Sequence, residues 1–391
     1  MIIKHIVLCG GGPTGLVCYG AIKELIVNKT IIYKNIKSIY STSAGCFIAF
    51  IFILNLKFEW IDDFLIKRPW KNLINFNSSD YLNLFYTKGL CDENFFINCF
   101  KPLFLAADIP ITITLKEFYD IYKIDWHIFT SNLNKFCKVD LNHITHPDLS
   151  VIQALNMSSS IPIIIKPPFY CNEYYLDGGI FCNCPSYECL INEKCDKNEM
   201  LIFINNKNNP IDLCYNNTNY NNTNYNNTLV SDTNIFLFLI YIIKTIFNKI
   251  IISSNDDFLI SKNSINVCIT SSTIDLDYWR YVFLEKNERE KLINIGKIQA
   301  TNFINNINNI NNINNSIYNI DNINFSINLN SDSVNLNTDS VNLNTDSVNL
   351  NTDSVNLNTN SVNLNTDSVD LNTNSINLND INMNNLIIIS N

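Results

Sequence analysis

The sequence predicts an α/β fold: a three-layer α/β/α sandwich whose mainly parallel sheet is covered by helices on both faces, followed by a disordered tail. Three observations predict it. Strand-like runs near residues 2–9, 36–41, 127–131, 173–177 and 200–205 alternate with helical patterns, which is the order of a parallel sheet with crossover helices. Every cysteine, glycine and proline falls before about residue 300, so one globular block of 1–300 is expected. Beyond it lies an Asn-rich tract, 301–391, of Ile-Asn-Asn and then Ser-Val-Asn-Leu-Asn-Thr-Asp repeats. Its apolar residues are spaced by two and five rather than by three and four, as at Val334, Leu336, Val341 and Leu343. That pattern builds no coiled coil and no sizeable core, so disorder is expected there, with a regular β-stack as the lesser alternative.

The first element carries chemistry. An apolar run from Ile2 to Cys9 is followed by Gly10, Gly11, Gly12 and Gly15 and then by a helical pattern from Leu16 to Leu25. A glycine turn at a helix start presents backbone N–H groups to an anion. The spacing Gly10-x-Gly12-x-x-Gly15 also fits a dinucleotide fingerprint, which needs an acid roughly 20 residues on. No Asp or Glu occurs from Leu25 to Phe58, so that reading lacks its second half. A FAD- or NAD-binding oxidoreductase, an oxyanion-binding hydrolase and a purely structural turn all remain open on the turn alone.

The second element is "IKSIYSTSAGCFIAFIFIL", a short strand, a small-residue turn and an apolar helix. Ser43 stands where a nucleophile elbow exposes its serine, with Gly45 behind it and Ser41 in place of the usual first glycine. The alternative is a buried helix whose N-cap is Ser43. A serine nucleophile needs a base and an oxyanion site. The four histidines, His5, His127, His143 and His146, offer no triad in the usual chain order, and His143 and His146 read as loop residues. Asp177 is the stronger candidate base. It ends an apolar-aromatic strand and precedes Gly178 and Gly179, which let the chain turn away from the carboxylate. A solvated Asp in a plain tight turn is the alternative.

Together these stretches resemble the patatin-like phospholipase family. "HIFTSNLNKF" is similar to that family's strand and T-N-L-like turn. "HPDLSVIQALNMSSSIPIIIKPP" is similar to its Ala-Ser-rich segment, with Ser158 where alanine is common and Ser159 matching. "DGGIFCNCP" is similar to D-G-G-x-x-x-N-x-P, with Asn183 and Pro185 in place. The resemblance covers roughly the first half of the chain and ends near Cys195. It implies a Ser43–Asp177 dyad, an acyl-enzyme intermediate and an oxyanion hole from the loop Gly10, Gly11 and Gly12, with the Gly11 and Gly12 N–H groups as donors. It further implies a phospholipid or other lipid ester as substrate, met at a membrane or micelle surface in lipid catabolism, with no cofactor and no metal. A catalytically silent interaction protein of the same fold is the remaining alternative. Asp177 must then be buried to be an effective base, and Tyr174, Tyr175, Leu176 and Ile180 are its apolar neighbours in sequence.

Net charge −9 disfavours nucleic acid and strong attraction to anionic lipid. The N-terminus runs straight into strand and glycine loop without a signal-peptide pattern, so the 13 cysteines are expected to be reduced cytosolic thiols and the Asn-x-Thr triplets unmodified. Cys182, Cys184, Cys189 and Cys195 have no zinc-site spacing. A low-complexity insertion is expected over about 214–232. The apolar run 235–252, interrupted by Lys244 and Lys249, is expected to be a buried helix, with an interfacial, lipid-contacting helix second and a membrane span last. The bias to Asn, Ile, Tyr and Phe fits an AT-rich genome such as that of a protist or a large DNA virus.

Overall fold

The computed structural model describes residues 2–73, 86–206, 211, 238, 241–242, 245, 263–269 and 276–329. It divides into two units, 1–305 and 306–391. The insertion expected at 214–232 and the repeats from 330 onward lie outside the described residues. So does most of the segment 235–252, of which positions 238, 241, 242 and 245 are helical. No helix among the described residues is long and apolar enough to cross a membrane.

The central sheet of the first unit has eight strands among the described residues. Strand β1 (His5–Leu8) pairs in parallel with β2 (Ser38–Thr42) on one side and β9 (Met200–Ile204) on the other. The parallel run continues to β10 (Ser264–Asn266) beyond β9 and to β4 (Asp125–Asn132) beyond β2. Past β4 the sheet turns antiparallel, through β8 (Glu173–Asp177) to β7 (Phe169–Tyr170), while β5 (Cys137–Leu141) hairpins onto β4. A small separate sheet joins β3 (Gly89–Cys91) to β6 (Ile163–Ile165).

Alternation along the strands sends residues to two faces, both buried. On one face Val7, Tyr40, Phe129 and Ile202 pack with Cys182 and with Cys189 of helix α7 (Ser186–Glu193). The four clustered cysteines therefore belong to this core and its edge, and no disulfide joins them. The other face carries helix α2 (Ala44–Leu54), in which every residue but Phe47 is buried, so its sequence is apolar all round. Phe50 of α2 gathers Phe100 and Phe104 of α4 (Glu93–Ala106), Phe118 of α5 (Leu115–Tyr122) and Trp126 of β4 into one aromatic cluster. Helix α1 (Thr14–Val27) packs beside α2, and α6 (Val151–Ser158) lies against β4 and β8.

The last helices close the unit. Helix α8 (Leu276–Leu284) is followed by α9, which runs from Lys286 to Leu329. Glycines set the crossing of α1 and α9: a Cβ on Gly20 would lie 1.9 Å from the Ile293 carbonyl oxygen, and one on Gly296 would lie 2.0 Å from that of Val17. Arg289, 5% exposed, donates to the carbonyls of Leu65, Ile66, Val282 and Phe283, satisfying the ends of two helical segments at once. Helix α9 runs past residue 300, where the globular block was expected to end. The Ile-Asn-Asn repeat, with Ile304, Ile307, Ile310 and Ile313 three apart, lies within this helix, and at 3.6 residues per turn its isoleucines drift by about 60° per repeat around the axis. Ala300 and Phe303 are buried.

Candidate active site

Sheet register brings the two predicted chemical residues together. Thr42 at the end of β2 is level with Phe129 of β4, and the next β4 residue, Thr130, is level with Asp177 at the end of β8. Ser43 and Asp177 thus flank the same point of β4 from its two sides. The Ser43 hydroxyl donates to Asp177 Oδ2 at 2.6 Å. The other carboxylate oxygen, Oδ1, accepts from the Gly179 N–H at 2.8 Å, which ties the carboxylate to its own turn. Both residues are buried. Burial drives the Asp177 pKa upward against these two hydrogen bonds, from 3.8 to about 6.

Ser43 has φ 51° and ψ −123°, a backbone conformation unfavourable for a residue with a side chain. It precedes α2 without capping it, since its hydroxyl goes to Asp177 instead. The strained turn is pinned from several directions. The Ser43 N–H donates to Ser158 Oγ at 2.9 Å, and Ser158 Oγ donates to the Phe129 carbonyl at 2.6 Å. Thr42 Oγ1 donates to the Cys182 carbonyl at 2.7 Å. Gly45 lets the turn close over β1, because a Cβ there would lie 2.5 Å from the Leu8 carbonyl oxygen. Ser41, the departure from the usual elbow glycine, is fully buried and its hydroxyl accepts from Trp126 Nε1 at 2.8 Å.

The glycine loop lies beside this turn. A Cβ on Gly10 would sit 3.1 Å from Cβ of Ser43 and 2.6 Å from Asn183 Oδ1. Gly10 is correspondingly engaged: its N–H donates to the Asn183 carbonyl at 3.1 Å, and its own carbonyl accepts from Asn205 Nδ2 at 3.2 Å. Of the loop Gly10, Gly11 and Gly12, the first therefore has its N–H already engaged. The N–H groups of Gly11 and Gly12 have no hydrogen-bond partner among the described residues. Gly12 adopts φ +58° and faces Trp279 of α8, whose indole would lie 2.5 Å from a Cβ. Gly15 sits against Ala44 and Ile48, where it lets α1 and α2 approach. Gly178 presses against the Phe129 carbonyl, 2.1 Å from where a Cβ would be.

Among the described residues no histidine bonds to Ser43 or Asp177. His5, His127 and His143 instead meet at the opposite end of the strands, and His143, expected to be a plain loop residue, pairs with Asp125 at 3.0 Å and stacks on Tyr119. Sequence reasoning missed Ser158 as a partner of the Ser43 backbone, Asn205 as a clamp on Gly10 and Trp279 as the cover of Gly12. Asn205 follows β9 and Trp279 lies in α8, and no local pattern marks either.

The family model described as Patatin-like phospholipase matches residues 6–190, the span that contains the glycine loop, the Ser43 turn and the Asp177 turn. This segment belongs to the patatin-like phospholipase family. That segment carries the patatin fold, with the elbow described above. Two viral proteins are similar to it. "Probable lipid hydrolase 463L" of Invertebrate iridescent virus 6 is 29% identical over 189 residues, covering 46% of this chain and 61% of that protein. "Uncharacterized protein R571" of Acanthamoeba polyphaga mimivirus is 29% identical over 213 residues, covering 53% of this chain and 67% of that protein. The chain thus spans about three fifths of the length of the first. Both relatives are viral, which fits a large DNA virus as source. Among solved structures, VipD of Legionella pneumophila gives a TM-score of 0.39 at 14% identity, covering 78% of this chain and 67% of the other. The type III effector ExoU gives 0.29 at 13% identity, covering 76% and 53%.

Proposed function

We propose that this patatin-family chain is a lipid acyl hydrolase that cleaves carboxylic esters through a Ser43–Asp177 dyad. The observation that carries the reading is the 2.6 Å hydrogen bond from the Ser43 hydroxyl to a buried carboxylate, on a strained strand-to-helix turn. Asp177, raised to about 6, is ionised near neutral pH and yet basic enough to accept the Ser43 proton as Oγ attacks an ester carbonyl. The unpartnered Gly11 and Gly12 N–H groups then receive the tetrahedral oxyanion, a contribution of about 3–4 kcal/mol per donor in comparable sites. Collapse of that intermediate expels the alcohol, to which Asp177 returns the proton, and leaves an acyl-Ser43 ester. Water, activated by the same carboxylate, releases the fatty acid.

Phospholipids and other lipid esters are the substrate class that the family and the name of the iridescent-virus relative support. The missing ribose-binding acid and the family match both weigh against a dinucleotide at the glycine loop. The test is release of fatty acid from phosphatidylcholine vesicles and from a short-chain aryl ester by the wild type and by Ser43→Ala. Hydrolysis by the wild type and its loss in the variant are expected. Equal rates in the two proteins would remove the assignment.

A further inference from the structure

A second constellation lies on the α7 face, at the end of the sheet where β1, β2 and β4 begin. Asp125 and His127 open β4 and Glu193 is the last residue of α7, and one ligand atom from each lies within 4.8 Å of the other two. His127 Nε2 is 3.4 Å from Asp125 Oδ2. Two ligands of a tetrahedral ion at bond lengths of about 2.0–2.1 Å stand about 3.3–3.4 Å apart, so this edge already has the needed length. Each of the three groups also has a neighbour outside the trio. His127 Nδ1 bonds Asp140 Oδ2 at 2.7 Å, which turns Nε2 toward Asp125 and Glu193, and the ring stacks on Tyr40 with centroids 4.1 Å apart. Glu193 accepts from the Tyr40 hydroxyl at 3.2 Å, and His143 Nδ1 lies 3.0 Å from Asp125 Oδ1 without hydrogen-bond geometry.

We propose that Asp125, His127 and Glu193 form a site for a divalent transition metal of the zinc class, separate from Ser43 and contrary to the sequence-based expectation of no metal. A histidine whose second nitrogen is fixed by a carboxylate is the usual arrangement around such ions, and it sets both tautomer and ring orientation. One imidazole and two carboxylates are a borderline-hard donor set, suited to Zn²⁺ or Co²⁺ rather than to a thiolate-seeking ion. His127 is buried, while Asp125 and Glu193 are partly exposed, which gives an ion a path from solvent. Bound there, the ion ties the first residues of β4 to the end of α7. Its role is structural, because Ser43 follows the far end of β2, about 10 Å along the strand from the level of His127 and about 17 Å from that of Asp125.

Co²⁺ titration of the full chain tests this, because the ion reports its ligands by absorption. Saturation at one equivalent is expected, with visible d–d bands and no thiolate charge-transfer band despite the many cysteines. Asp125→Asn and Glu193→Gln should each weaken binding at least tenfold, and Asp140→Asn, which only orients His127, by about 10–100-fold. His146→Gln and Ser43→Ala should bind as the wild type does, and circular dichroism before titration confirms that each variant is folded. Glu193 is partly exposed at a helix end, so its variant keeps the test available if Asp125→Asn fails to fold. Absence of saturable binding, unchanged affinity in folded Glu193→Gln, or a cobalt–thiolate band would each overturn the proposal.

Discussion

At the scale of single residues, Asp177 carries two opposed demands. Its burial makes it basic enough to serve Ser43, and the same burial makes its charge costly. In the folded chain its pKa lies above the ordinary carboxylate value, so the folded state holds the proton more tightly than the unfolded one. Its contribution to stability is therefore fully present below about pH 3.8, declines as pH rises toward about 6, and stays at its minimum above that. Asp177→Asn should consequently be more stable than the wild type at pH 8, by an amount on the order of 2–3 kcal/mol, as read by urea unfolding at pH 8 and pH 4. The same variant should lose hydrolysis about as far as Ser43→Ala does, and the double variant should lose no more, since the two act as one unit. Wild-type kcat/KM should rise with pH through about 6, following ionisation of the base. Ser158 has a different part. Removing its hydroxyl leaves the buried Ser43 N–H without an acceptor, so Ser158→Ala should cost about 1–3 kcal/mol of stability in the same unfolding assay. Ser43 and Asp177 stand out in the sequence through short local patterns, an elbow and an acid before two glycines. Ser158 was visible only as a serine where alanine is common, because its bond to Ser43 spans 115 positions and depends on where α6 docks.

Elements place these residues, and here the sequence told less. The strand runs near 2–9, 36–41, 127–131, 173–177 and 200–205 correspond to β1, β2, β4, β8 and β9, since buried parallel strands are continuous apolar runs. Their lateral order is not written in any one of them. The adjacency of β2, β4 and β8, which aligns Ser43 with Asp177, comes from long-range pairing, as does the gathering of His5, His127 and His143 at the other end. The glycine loop shows both sides. The turn itself was legible from Gly10 to Gly15, while the engagement of the Gly10 N–H by Asn183 was not, because that partner is 173 residues away. Gly12→Ala tests the loop: a side chain at φ +58° against Trp279 displaces the donors, and kcat should fall about 10²–10³-fold with little change in KM. The reach of the last helix into the Asn-rich tract was not legible, because asparagine is a poor helix former and isoleucines three apart drift around a helix without forming one stripe.

For the whole molecule, the account separates a unit of 1–305 from the tract that follows it. Truncation after Asn305 should leave hydrolysis and melting temperature nearly unchanged, because the Asn-rich repeats supply little core-forming sequence. Truncation after residue 299 should lower the melting temperature by several degrees, since it removes the buried Ala300 and Phe303 from α9. A comparison of the two truncations by differential scanning calorimetry locates the working boundary. Fold and elbow follow from the patatin-like segment, and the chemistry assigned to them stands on Ser43 as the attacking atom. The most direct measurement is to treat the full chain with a fluorophosphonate, follow the intact mass and map the modified peptide. The account predicts a single adduct on Ser43, which forms more slowly below pH 6 and is lost in Ser43→Ala. An adduct on Ser41 or Ser159, or full labelling of Ser43→Ala, would contradict it.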